Sequence, residues 1–154
     1  MMTAKTLTTE QIKAKWDAAW NRMLDAEAAF QEYVDATDPL YFLETAFLAK
    51  HGMSFLHGDV DARNALLAAN PAYAVPKHIN DHRDALTDKV TNSAADLMAT
   101  PAPDLAALRW KLDWTADATY VDEYLAQMRE DMDRLMGPAP SLDAQIAAAK
   151  QVAA

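Results

Sequence analysis

The stretch Thr8–Tyr33 reads TTEQIKAKWDAAWNRMLDAEAAFQEY. Within it Ile12, Trp16, Ala19, Met23, Ala26, Phe30 and Tyr33 recur at alternating steps of four and three. Such steps keep side chains on one side of a helix, so the stretch has the buried seam of a bundle or coiled-coil helix. Trp20, Leu24 and Val34 widen the stripe, which suits a globular bundle better than a bare two-stranded coil. Asp17, Asp25, Glu32 and Asp35 fall off the seam, where solvent is expected. Thr8 and Gln11 have the spacing of a capping box, so the first long helix is expected over about 9–36.

Outward from this helix, Asp38-Pro39 predicts a stop and restart, because proline ends one helix and suits the first turn of the next. A short helix is expected near 39–50, with Leu40, Leu43 and Phe47 on one face and Gly52 as its C-terminal cap. His51–Asp59 holds two glycines and two histidines and is the least helix-like part of the chain. A short helix near 60–69 would bury Val60, Leu66 and Leu67, and Asn70-Pro71 would stop it. Residues 37–76 thus read as an irregular insertion between long helices.

A second long helix is expected over 77–99, from Ile79, His82 or Arg83, Leu86, Val90, Ser93 or Ala94, and Leu97. Thr100–Trp114, TPAPDLAALRWKLDW, then gives a proline-marked start and a short helix near 104–114. Leu105, Leu108 and Leu112 form one stripe of it, with Trp110 and Trp114 roughly opposite. Such a helix is either sandwiched in the fold or shows an aromatic face to a partner. Asp104 suits its N-terminus, where a negative charge favours the helix dipole. The last long helix, about 116–136, carries Val121, Leu125, Met128, Met132 and Leu135, and Gly137-Pro138 stops it. Asp122, Glu123, Glu130, Asp131 and Asp133 are assigned to its solvent face. Residues 1–140 read as a single helical domain, and 141–154 as an Ala-rich tail that would fray unless a neighbour held it through Leu142, Ile146 and Val152.

Composition agrees with an all-α fold: 33 Ala and 16 Leu stand against 9 Val plus Ile and 3 Gly. There is no cysteine, hence no disulfide framework and no thiolate chemistry. The opening MMTAKTLTTEQIKAKW lacks an apolar core and cleavage site, and no apolar run approaches the roughly 20 residues of a membrane span. A cytoplasmic protein without a membrane partner is expected. The net charge of −9 and the scarcity of Lys/Arg clusters weigh against direct nucleic-acid binding. The same acidity admits an inhibitor that occupies a nucleic-acid site on a partner protein.

Two stretches carry a resemblance. One is Trp16-Asp17-Ala18-Ala19 leading into Asp25-Ala26-Glu27-Ala28-Ala29-Phe30; the other is LMATPAPDLAAL, Leu97–Leu108, with Lys111-Leu112 and a final helix ending near Asp131–Leu135. Over about half its length the chain resembles a group of small helical proteins of alphaproteobacteria to which no activity or catalytic residue is assigned. The resemblance implies a bacterial, cytosolic, helical protein in which the two-faced helix is a shared structural device.

The four histidines are the only material for a metal site. His78 and His82 are four apart, with Asp81 nearby, and His51 and His57 lie on the glycine-bearing loop. The segment HINDH lacks the glutamate of HExxH, and no ExxH pair of a di-iron bundle is present. Asp59–Asn64 fails as a calcium loop, with Arg63 at a ligand position and Asn64 where glycine is required. Ser54 has no nucleophile elbow around it, the glycines build no phosphate loop, and Glu27 belongs at the rim of the first seam. No cofactor is therefore expected. The tryptophans pack in the core, or Trp110 and Trp114 with Arg109 and Lys111 anchor an interface, aided by Leu142 and Ile146. The leading expectation is a non-enzymatic interaction or assembly protein of a bacterium or mobile element, self-associating or bound to a protein partner. A small metal-dependent enzyme built on the histidines is the alternative.

Overall fold

The structure, a computed structural model, describes residues 7–54, 56–117, 122–138 and 140–152. Among them every regular element is an α-helix: α1 (Thr9–Lys50), α2 (Val60–Ala69), α3 (Lys77–Ala99), α4 (Leu105–Asp117), α5 (Asp122–Met136) and α6 (Leu142–Val152). No helix among the described residues is long and apolar enough to cross a membrane. The chain divides into two compact units, one of Asn21–Ala94 and the other joining the stretch up to Trp20 with the stretch from Ala95 onward.

α1 begins as the capping box predicts. The Thr8 amide donates to Gln11 Oε1 at 2.9 Å, and the Gln11 amide donates to Thr8 Oγ1 at 3.2 Å. Ile12, Trp16, Ala19, Met23 and Ala26 are buried, while Phe30 and Tyr33 are half-buried. Leu24, expected to widen the stripe, is exposed.

The expected break at Pro39 does not occur: α1 runs unbroken for 42 residues with Pro39 inside it. Proline removes one helical donor, so something outside the backbone ladder must hold the helix. The buried rhythm supplies it. Tyr33, Thr37, Tyr41, Glu44 and Leu48 continue the three-and-four spacing across the proline, all buried or half-buried. Contacts with the start of α3 flank Pro39 on both sides. Tyr33 Oη donates to the Ile79 carbonyl at 3.2 Å, Tyr41 Oη donates to Asn80 Oδ1 at 2.7 Å, and Asp38 lies 3.6 Å from Arg83. Tertiary packing here outweighs the local preference of proline. The buried side near the end of α1 is therefore Glu44, Phe47 and Leu48, while Leu40 and Leu43 are exposed.

The helix ends where glycine permits. Gly52 has φ +70°, with its amide bonded to the Ala49 carbonyl and that of Met53 to the Leu48 carbonyl, a Schellman arrangement. Asp59 caps α2 by accepting from the Asp61 and Ala62 amides. Of the residues expected to be buried in α2, Val60 is exposed and Leu66 and Leu67 are half-buried. The insertion expected at 37–76 thus reduces to the connections around α2, since 37–50 belongs to α1.

α3 spans the expected residues and buries Ala94, Leu97 and Met98. α4 continues to Asp117, so residues 116 and 117 belong to it rather than to the last long helix. α4 packs against α5, which buries Met128 and half-buries Leu125, Met132 and Leu135. Val121 lies outside the described residues. Gly137, at φ +80°, ends α5, and the tail is helical over Leu142–Val152, where Ser141 Oγ accepts from the Ala144 amide.

Candidate functional site

α4 is divided around its axis in a way its leucines do not announce. The buried sector is Ala107, Leu108 and Lys111, between the leucine stripe and the tryptophans. Of the leucines only Leu108 faces inward; Leu105 is 55% exposed and Leu112 40%. Leu105, Arg109 and Leu112, at steps of four and three, make an outer face, which Asp113 joins through a 3.8 Å pair with Arg109.

Lys111 stands among the interface candidates, yet its side chain is fully buried. Its Nζ donates to Asp131 Oδ2 at 2.7 Å and to the Thr100 carbonyl at 2.6 Å. Asp131, assigned from sequence to the solvent face of α5, is equally buried. It lies three residues beyond Met128, beside the seam, so its carboxylate meets α4. Asp131 Oδ1 accepts from the Ala102 amide at 3.0 Å, Gln127 Nε2 at 3.3 Å and an Arg134 guanidinium nitrogen at 2.9 Å. That guanidinium also donates to the Ala102 carbonyl. One carboxylate therefore fastens the loop before α4, α4 itself and a turn of α5.

Burial lowers the Lys111 pKa from the usual 10.5; the hydrogen bond and charge of Asp131 oppose that shift, and Arg134 adds to it. A lysine poised this way can act as a nucleophile only where a reactant reaches it. With no exposed surface and its bonds committed to Thr100 and Asp131, Lys111 is a clamp. Among the described residues every buried side-chain nitrogen and oxygen has a partner.

The tryptophans divide between two neighbours. Trp16 is buried, stacks on Trp20 at 6.2 Å and meets Trp110 edge-on at 6.1 Å; Trp20 and Trp110 also meet edge-on, at 5.2 Å. The Lys111 ammonium lies 5.6 Å from the Trp16 ring, so this cluster and the clamp touch. Trp114 turns to α5, edge-on to Tyr124 at 5.9 Å. Trp20 and Trp110 are half-buried and, with Pro103, line an open groove of about 330 Å³.

Arg109 and Ile146 are exposed, and α6 begins at Leu142, whose side chain lies outside the described residues. The histidines form no centre. His51 Nδ1 bonds to the Phe47 carbonyl at 2.9 Å, His82 packs edge-on to Tyr33 at 4.6 Å, and His57 and His78 are exposed. No group of three or more His, Asp or Glu among the described residues is placed to hold a metal ion. Among the described residues, then, His51, His57, His78 and His82 are not brought together into such a group. No family model, curated protein or solved structure matches this chain.

Proposed function

We propose that this is a non-enzymatic assembly protein that works by association with a second copy of itself through the outer face of α4. The observation that carries this reading is the exposure of Leu105 and Leu112 on either side of Arg109, on a helix whose opposite sector is filled by its own unit. Apolar side chains grouped around an arginine are the composition of interface anchors. The same face offers one cation, Arg109, and one anion, Asp113, so it is self-complementary across a two-fold axis. The half-buried Trp110 borders it on one side. The reading includes the bacterial, cytoplasmic setting implied by the resemblance and a bundle arrangement of the helices.

Sedimentation of the wild type beside Leu105→Lys/Leu112→Lys tests it. Leu105 is 55% and Leu112 40% exposed, so a lysine at either place can reach solvent, and the variant should keep its helical circular dichroism and lose association. A variant that sediments like the wild type would overturn the assignment of this face.

A further inference from the structure

Within the unit Asn21–Ala94, Glu32, Ala36, Pro39, Leu43, Ala46 and Lys50 of α1 follow steps of four and three, and all are exposed. They run on the far side of the helix from the buried line of Tyr33, Thr37, Tyr41, Glu44 and Leu48. The spacing is that of a coiled-coil seam, apolar along its middle, with an anion at one end and a cation at the other. Among the described residues neither Glu32 nor Lys50 is in an ion pair. We propose that this face pairs antiparallel with the same face of a second copy. The steps are symmetric about residue 41, so a two-fold axis there sets Glu32 against the partner's Lys50 at both ends of the contact. Between them Ala36 meets the partner's Ala46, and Pro39 meets the partner's Leu43. A parallel pairing in register would set Glu32 on Glu32 and Lys50 on Lys50, so charge selects the antiparallel direction. Leu40, 38% exposed, and Phe42, 71% exposed, flank the seam near the two-fold, where a second copy covers them. The small residues of the seam bury little area, so the contact is weak on its own and adds to that of the α4 face without depending on it.

Cysteine cross-linking tests this, because the chain has no cysteine of its own and a disulfide traps a contact too weak to survive dilution. The Leu105→Lys/Leu112→Lys full chain is the host, so the outcome is independent of the α4 face. Ala36→Cys and Ala46→Cys change exposed positions. Mixed at high protein concentration and mildly oxidised, the two variants should give covalent dimers. Either variant alone should give few, since an antiparallel pairing about residue 41 leaves like positions about 15 Å apart, beyond the reach of a disulfide. Glu32→Lys added to both variants should cut the mixed yield several-fold, and Glu32→Lys/Lys50→Glu should restore it. No excess of mixed over single links, or a yield unchanged by Glu32→Lys, would overturn the proposal.

Discussion

The Lys111 ammonium and the Asp131 carboxylate lie 2.7 Å apart with neither side chain reaching solvent. Removing one member of a buried pair leaves the other charged and under-satisfied, which is far worse than replacing both. Lys111→Met alone should therefore cost about 3–5 kcal/mol, whereas Lys111→Met/Asp131→Leu should cost less than the two single changes added together. Urea unfolding of the four proteins measures this, and additive losses would contradict the pairing.

The lowered pKa of Lys111 fixes the sign of a pH effect. Between its folded value and the unfolded 10.5, the unfolded chain holds a proton the folded chain has released. Stability from this group therefore rises with pH across that window and levels off above 10.5. The difference in unfolding free energy between wild type and Lys111→Met should climb as pH increases through the window. A falling difference would contradict the shift.

Pro39 lies in the interior of α1, not at the first turn of a separate helix. Alanine would restore the missing amide donor and should raise stability, by an amount approaching the roughly 3 kcal/mol that separates the two residues in a helix interior. Thermal unfolding of Pro39→Ala reads this directly. A loss of stability would indicate a start at Pro39.

Trp110 packs on α1 and Trp114 on α5, so their contributions should be separable. Each alanine substitution should cost roughly 2 kcal/mol, less than for a fully buried tryptophan, and the double variant should show the sum. Strong non-additivity in urea unfolding would mean that the two rings share a cluster.

Legibility in the sequence followed how local each signal was. The Thr8–Gln11 box and the stops at Gly52 and Gly137 depend on neighbouring residues and the backbone, and all three stand as read. Pro39 misled because its local preference was weighed without the seam that continues from Tyr33 to Leu48 across it. α4 misled for a different reason. Its buried sector is centred on a lysine, and periodicity of apolar residues cannot place a charged one inside. A signal did exist: Lys111 stands four residues after Ala107 and three after Leu108, and Asp131 stands three after Met128. A cation and an anion, each in an apolar sector of neighbouring helices, are candidates for one buried pair.

In the proposed assembly the outer face of α4 joins two copies of this chain. Native mass spectrometry of the purified protein tests it most directly. A mass that is a multiple of the 17.0 kDa chain, returning to a single chain in Leu105→Lys/Leu112→Lys, is the predicted result. A wild-type protein that remains at 17.0 kDa as its concentration is raised would contradict it.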